Sequence, residues 1–208
     1  MRMKLLAAVE VGIVFAGIII YIWRWQYLYP DFPLYLLGFI VTTFFLHRDH
    51  PRWLGLGSHG FVSTLKYLWR PSLAAAVCLI LFGWMTGSPV LVRMTEVNWS
   101  GFERYFAWCL FQQFGMQSFF SNRLSAVVAK PNRAAWVSAT MFAAFHLPNP
   151  VLIPVTFFGG YFLSRLFLSQ RNLLPLALAQ ALVGSLISIT LPVSWHHGLR
   201  VGPGYYKS

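Results

Sequence analysis

The sequence has very few charged side chains, and this shortage excludes a protein whose whole surface faces water. Only 10% of its 208 residues are Asp, Glu, Lys or Arg, whereas 57% are hydrophobic. Soluble domains usually carry about 25% charged residues. Because so few charges cannot cover a water-exposed surface, lipid must surround much of the chain. Apolar segments of about 20 residues joined by short loops would allow roughly seven membrane crossings in this length.

Acidic residues are the scarcest charged type, with 5 Asp and Glu against 16 Lys and Arg and a net charge of +11. Such a balance suits either nucleic acid or an anionic lipid surface. The basic residues stand singly between apolar runs rather than in a stripe with interleaved aromatic residues. We therefore predict the lipid bilayer as a partner and no nucleic acid.

Cysteine is also scarce, which excludes a disulfide framework. Cys78 and Cys109 both fall inside apolar runs, where small buried side chains are expected. No cysteine or histidine spacing typical of a metal site is present. We predict no cofactor and assign no metal ligand, although a lone histidine leaves a divalent metal open as an alternative.

The apolar runs predict an all-α, polytopic membrane helix bundle, because lipid offers no hydrogen-bonding partner to a free backbone. The predicted spans are about 5–23, 34–46, 71–86, 102–128, 134–147, 151–168 and 173–191. Residues Trp53 to Trp69 alternate apolar with polar side chains, which favours an interfacial segment. This gives N-terminal helices and the interfacial segment in residues 1–101, a core in 102–191 and a polar tail in 192–208.

The basic residues also predict an orientation. Eleven of the 16 Lys and Arg fall on one side of the predicted spans and five on the other. Cytoplasmic loops carry the excess of basic residues. The N-terminus is therefore predicted to be cytoplasmic and the C-terminus external, and the short loops favour a bacterial inner membrane.

Three predicted helices carry amide or imidazole groups at membrane depth, where a polar side chain needs an internal partner. Gln113 and Gln117 share one helix face, and Gln112 lies about 100° round it. His146 ends the next helix and Gln180 lies in the last. Such groups often join helices without further function. A lone histidine is also compatible with proton transfer or metal binding. A single acid in the first span, Glu10, is expected either to pair with a polar group on another helix or to lie near the membrane interface.

At these positions the chain resembles the CAAX protease and bacteriocin-processing (ABI) family of intramembrane proteases, which includes the type II CAAX prenyl endopeptidases. The family's second motif, Phe-x-x-x-His, is intact as Phe142-x-x-x-His146. Its first motif, Glu-Glu-x-x-x-Arg, is replaced by Gln112-Gln113-x-x-x-Gln117. At the third motif, Gln180 replaces the histidine and Gly184 stands where Asn or Asp is common.

In that family a glutamate is thought to activate water while histidines position it or stabilise charge. The resemblance implies two groups of site residues. The catalytic positions are Gln112, Gln113, His146 and Gln180, and the substrate or cavity positions are Gln117, Phe142 and Asn149. Glutamine has nearly the shape of glutamate and can orient a water molecule, but its amide is not a useful base.

These replacements leave three hypotheses. The chain is an endopeptidase for a membrane-tethered or lipidated peptide, with His146 central. Alternatively, it is a non-catalytic binding, chaperone or bacteriocin-immunity-type protein that holds a ligand in the former catalytic cavity. The third hypothesis is a component of a small transporter. All three predict that Gln112 or Gln113, His146 and Gln180 meet at one internal cavity.

Overall fold

The structure, a computed structural model, describes residues 2–95, 99–128 and 130–207, and the regular elements in these ranges are all helical. The α-helices are α1 (Arg2–Ile20), α2 (Phe32–His47), α3 (Phe61–Met85), α4 (Val90–Thr95), α5 (Trp99–Gln113), α6 (Asn122–Val128), α7 (Pro131–Ala144), α8 (Leu152–Gln170), α9 (Leu174–Thr190) and α10 (Val193–His196). The predicted all-α fold is therefore confirmed.

Several of these helices have the length and composition of membrane spans. Arg2–Trp25, Phe61–Met85 and Leu152–Gln170 are each long and apolar enough to cross a membrane, and two shorter helices, Phe32–His47 and Leu174–Thr190, are also apolar. Large hydrophobic side chains are exposed along them, as at Leu5 and Phe45. These features place the protein in a membrane, as predicted.

The start of α3 corrects the predicted interfacial segment. Residues 61–69 are helical and continue through Pro71 to Met85, so only the part before Phe61 lies outside the helix. Gly60 marks the true start, with φ +73° and with its carbonyl accepting hydrogen bonds from the Ser63 and Thr64 hydroxyls. A Cβ at Gly60 would lie 2.0 Å from the carbonyl oxygen of Gln170, so this close approach requires glycine.

Two α-helices are extended by π-helical turns. Tyr21–Trp25 continues α1, and Phe114–Ser121 joins α5 to α6 so that the chain remains helical from Trp99 to Val128. A π-turn inserts an extra residue and often occurs at functional sites. The Phe114–Ser121 turn displaces the helix face just after the glutamine pair, and six of its residues are buried.

The helices pack around a central space. α7 packs against α8, α9 lies between α3 and α5, and α1 packs on α6. Phe119 and Phe120 of the second π-turn are fully buried in the largest apolar cluster, together with Val14 of α1. α2 leans on α1, whereas α3 packs on α8 and α9. The space between these two groups of helices is the central cavity described below.

Candidate functional site: a glutamine-lined cavity

The predicted glutamines form a continuous hydrogen-bonded series, which we call the amide chain. Gln117 Nε2 donates to Gln113 Oε1 at 3.0 Å, and Gln113 Nε2 donates to Gln180 Oε1 at 2.6 Å. Gln180 Nε2 then donates to Gln112 Oε1 at 2.6 Å. Each side-chain amide thus forms a hydrogen bond with the next, and these bonds connect α5, α9 and the π-turn. Because every bond pairs a neutral donor with a neutral acceptor, the chain is stable without any charge.

At its buried end the amide chain continues into serine hydroxyls. Ser121 Oγ donates to Gln117 Oε1 at 2.9 Å and lies 3.1 Å from Ser138 Oγ of α7. Ser164 of α8 reaches the same Ser138 hydroxyl at 3.5 Å. Gln113 and Gln117 are each only 1% exposed. With the amide chain, these contacts join α5, the π-turn, α7, α8 and α9, so the amide chain also positions the helices around it.

At its other end the amide chain reaches the cavity. Gln112 is half-buried, and its Nε2 makes no hydrogen bond within the described ranges 2–95, 99–128 and 130–207. Gln180 is half-buried as well, and both side chains line the cavity. A ligand would therefore meet the Gln112 amide as a hydrogen-bond donor.

His146 and Phe142 line the same cavity. His146 lies in the turn after α7, rather than in the helix as predicted, and its Nδ1 is 2.7 Å from the Phe142 carbonyl oxygen. A carbonyl can only accept, so Nδ1 carries the proton and Nε2 is left as an acceptor. The Phe142 ring stands edge-on to the imidazole, with centroids 4.7 Å apart. Among the described residues, no carboxylate contacts this imidazole.

The cavity has a volume of about 800 Å³ and is mostly apolar. Its polar lining includes Gln112, Gln180, His146 and Gln26, and its apolar walls come from α1, α2, α3, α5, α8, α9 and the tail. No Asp, Glu, Lys or Arg is among the described residues that line it. Pockets of about 300–1,000 Å³ with few polar groups are typical of small-molecule binding sites.

Tyr105 and Gly184 close the wall between α5 and α9. Both line the cavity. A Cβ on Gly184 would lie 2.1 Å from the Tyr105 hydroxyl oxygen, so the phenol fills the space that a side chain at this position would need. Tyr105 lies seven residues before Gln112 and therefore on a similar face of α5. It supplies the cavity with a hydroxyl that the motifs did not indicate.

Comparison with known families adds to this geometry. Residues 99–186 match the family model described as type II CAAX prenyl endopeptidase Rce1-like. The predicted resemblance is confirmed. The matched residues, about two fifths of the chain, include the amide chain, Phe142, His146 and Gly184. No curated protein and no solved structure matches the chain. We refer to residues 99–186 below as the Rce1-like segment.

Within the Rce1-like segment, the structure brings together most of the predicted site but not all of it. Gln112, Gln113, Gln117 and Gln180 are joined by hydrogen bonds. His146 and Phe142 share the cavity with Gln112 and Gln180, but no hydrogen bond links the imidazole to an amide among the residues that the structure describes. The assignment of these side chains to catalysis stays a prediction.

Asn149 has a different position from the predicted one, since it does not line the cavity. Its Nδ2 donates to the carbonyl oxygens of His196 and Arg200 at 2.8 and 3.0 Å. Its Oδ1 accepts from the backbone N–H groups of Val151 and Leu152 at the start of α8, each at 3.1 Å. Asn149 therefore caps α8 and ties the C-terminal tail to the bundle.

We expect Asn149→Ala to loosen the tail. The substitution removes a cap worth about 0.5–2 kcal/mol and leaves two tail carbonyls without their donor, so the melting temperature should fall. Trypsin should then cleave after Arg200 faster than in the unmodified protein. The control is Asn132→Ala, because Asn132 is exposed. Equal cleavage rates in the two variants would contradict the anchoring role.

A buried ion cluster, formed largely outside the Rce1-like segment, was only partly foreseen. Glu10 was predicted to pair with a polar group, and this is confirmed: its Oε2 accepts from Arg123 Nε at 2.9 Å and its Oε1 lies 2.8 Å from His47 Nε2. Arg123 Nη2 lies 2.7 Å from Asp49 Oδ2 and 3.2 Å from the Thr43 carbonyl oxygen. The cluster ties α1, α2 and α6 together and does not line the cavity.

The described residues can also be searched for a group of side chains that would hold a divalent metal. Nowhere in ranges 2–95, 99–128 and 130–207 are three His, Cys, Asp or Glu side chains placed to hold a metal ion.

His196 in the tail is 1% exposed, and burial lowers the pKa of its imidazole below the ordinary value of 6.5. The ring is therefore neutral near pH 7, as expected for a group covered by the tail.

Proposed function

We propose that this chain is a non-hydrolytic membrane protein that binds a lipidated or membrane-tethered peptide in its central cavity. The observation that supports this most is the amide chain, in which each of the four glutamines bonds to another, together with a cavity that no described carboxylate lines. Peptide hydrolysis needs a base that takes a proton from water. Binding needs only a shaped cavity with a few hydrogen-bonding groups.

The chemistry of the individual groups supports binding over hydrolysis. A general base contributes typically 10²–10⁴-fold to a rate, and an amide has no comparable basicity. His146 Nε2 is the remaining basic atom, and no described acid orients its ring. The Gln112 amide donates and the His146 Nε2 accepts. A peptide group, which has one acceptor oxygen and one donor N–H, suits such a pair.

The apolar walls indicate the rest of the ligand. A peptide backbone in this mostly apolar cavity of about 800 Å³ would find few hydrogen-bonding partners, and burying it there without partners would be unfavourable. An acyl or prenyl chain would fill the walls and gain about 25 cal/mol per Å² of apolar area buried. The ligand that best fits both parts is an amphiphile with a hydrocarbon chain and a peptide head.

The packing of α2 and α3 suggests how such a ligand enters. These consecutive helices pack against different partners, α2 against α1 and α3 against α8 and α9. Both nevertheless line the cavity, through residues such as Leu36 and Cys78. Cys78 is also exposed, so the cavity can be reached at this position. A lipid-anchored chain would thus reach the cavity sideways from the bilayer, between α2 and α3.

The proposal includes the predicted placement in the cell. The basic residues assigned to the cytoplasmic side include Arg48 and Arg52 after α2 and Lys130 before α7, which are exposed, whereas Arg123 is buried in the ion cluster. We infer a cytoplasmic N-terminus, an external C-terminus and a bacterial inner membrane. Labelling of single cysteines introduced at the exposed positions Lys130 and Lys207 in intact cells would test the orientation.

The binding function can be tested with Cys78 as a built-in reporter. Cys78 lines the cavity and is exposed, whereas Cys109 is fully buried. We expect a synthetic S-prenylated peptide to protect Cys78 from maleimide alkylation. At a peptide concentration ten times Kd the free fraction is about one tenth, so alkylation should slow about tenfold. Mass spectrometry of the peptide should show no cleavage.

Two variants sharpen this test. Gln112→Leu removes the free donor and should weaken protection, whereas Ser169→Ala, at the far end of α8 and outside the cavity, should not. Absence of protection at any attainable peptide concentration would contradict the binding proposal. Cleavage that is abolished by His146→Ala would instead support the endopeptidase hypothesis and refute the non-hydrolytic one.

A further inference from the structure

One buried donor at the edge of the cavity has no partner. Gln26 follows the π-turn Tyr21–Trp25 at the end of α1 and lines the cavity. Its Nε2 atom is buried and makes no hydrogen bond within the residues that the structure describes. An unpaired buried amide donor costs about 1–3 kcal/mol. By contrast, the amides of Gln113, Gln117 and Gln180 donate to one another or to Gln112.

The C-terminal tail covers this part of α1. Gly202 lies so close to Ile22 that a Cβ on it would be 2.6 Å from Ile22 Cγ2 and 2.9 Å from the Ile22 carbonyl oxygen. With φ +55°, Gly202 also occupies a backbone conformation that suits glycine. Further along, Lys207 Nζ lies 3.8 Å from the centre of the Tyr27 ring. The tail therefore packs over the residues on both sides of Gln26.

The tail also forms part of the cavity wall beside Gln26. Leu199 and Val201 line the cavity together with Tyr21 and Ile22. Both tail residues are apolar, so they offer the Gln26 amide no side-chain acceptor. Of the neighbouring tail backbone, the carbonyl of Arg200 already accepts from Asn149, and the N–H of Gly202 donates to the Leu147 carbonyl. Because Gln26 itself lines the cavity, a ligand oxygen bound there would supply the acceptor that the described residues do not.

We propose that Gln26 is a ligand-binding residue that donates a hydrogen bond to an oxygen of the peptide head while the ligand's hydrocarbon chain fills the cavity. This inference rests on the proposed binding function. By the predicted orientation, the same end of the molecule carries five basic residues, Arg24, Arg93, Arg104, Arg200 and Lys207, and only two described acids, Asp31 and Glu103. This excess of positive charge favours a carboxylate oxygen, as at the C-terminus of a peptide.

The test compares Gln26→Leu with the unmodified protein in detergent. Leucine removes the unpaired donor and keeps most of the volume, so the ligand-free protein should melt at the same or a higher temperature. The affinity for an S-prenylated peptide with a free C-terminus should fall about fivefold to tenfold, the value of one hydrogen bond. The affinity for a hydrocarbon of equal chain length, which lacks oxygen, should not fall.

The control is Gln170→Leu, because Gln170 ends α8 outside the cavity and should leave both affinities unchanged. A lower melting temperature with unchanged peptide affinity would overturn the proposal and make Gln26 a structural residue. An equal loss of affinity for peptide and hydrocarbon would overturn it too. If Gln112→Leu weakens peptide binding and Gln26→Leu does not, this inference fails while the binding function stands.

Discussion

Arg123→Leu is expected to prevent the protein from accumulating in a folded form. The substitution leaves Glu10, which is 3% exposed, without its guanidinium partner and removes the cation beside Asp49. Breaking a buried ion pair by removing one partner costs about 3–5 kcal/mol. Small domains are stable by only about 5–15 kcal/mol in total. The loss should be visible as a low yield of monodisperse protein and a much lower melting temperature in detergent.

The surroundings of Arg123 explain why no other group would replace it. Its guanidinium carbon lies 5.6 Å from the Phe44 ring centre and 5.9 Å from that of Phe119, so aromatic rings rather than water flank the charge. His47 contacts the other oxygen of Glu10. The ring of His47 would have to hold a proton to compensate the carboxylate alone, and Asp49 would remain without a cation.

A control and a double variant distinguish the loss of the ion pair from a nonspecific destabilisation of the fold. Arg133→Leu removes an exposed arginine at the start of α7 and should change the melting temperature little. Glu10→Leu with Arg123→Leu removes opposite charges together, so it should be less harmful than Arg123→Leu alone. If the double variant is as unstable as the sum of the two single variants, the two side chains do not depend on each other and the cluster is not a unit.

The helices could be predicted because apolar length is a local property, and each of the predicted spans recurs as a helix. The predicted start of α3 was wrong because residues 53–69 alternate apolar with polar side chains, a pattern that favoured a separate interfacial segment over a continuous helix. Instead, Gly60 sets the start through its contact with Gln170, a residue 110 positions later. A contact at that separation leaves no trace in the local pattern.

The polar contacts also divide into local ones, which the sequence predicts, and ones between residues far apart in the sequence, which it does not. The i, i+4 spacing of Gln113 and Gln117 predicts their shared face, and the structure shows them bonded. The partner of Glu10, by contrast, lies 113 residues away and follows no motif. Asn149 was assigned to the cavity because it lies near His146 in sequence. The turn between α7 and α8 directs it to the tail instead.

Two glutamate substitutions at neighbouring positions of the amide chain should have very unequal effects on stability. Gln113 donates to Gln180 Oε1 and accepts from Gln117. An ionised glutamate side chain at this position cannot donate, so two acceptor oxygens would face each other in a site that is 1% exposed. We expect Gln113→Glu to lower the free energy of unfolding by about 3 kcal/mol at neutral pH, as an unsatisfied charged group would.

Gln112→Glu should be tolerated much better, with a change within about 1 kcal/mol. The retained Oε1 still accepts from Gln180 Nε2, and the replaced Nε2 makes no hydrogen bond with the described residues. The pair is therefore a matched test, because the two changes are chemically identical and lie on the same turn of α5. Thermal melting of both variants in one detergent would give the comparison.

The direction in which the stability of Gln113→Glu changes with pH shows whether the introduced charge causes the loss. As the pH falls, the carboxylate introduced by Gln113→Glu takes up a proton, and the neutral acid can again donate to Gln180 Oε1. The folded state then binds this proton more readily than the unfolded state, so the stability of Gln113→Glu relative to the unmodified protein should rise with falling pH. Gln112→Glu should show little such recovery. A loss for Gln112→Glu as large as that for Gln113→Glu would contradict the direction of the amide chain, in which Gln112 only accepts from Gln180.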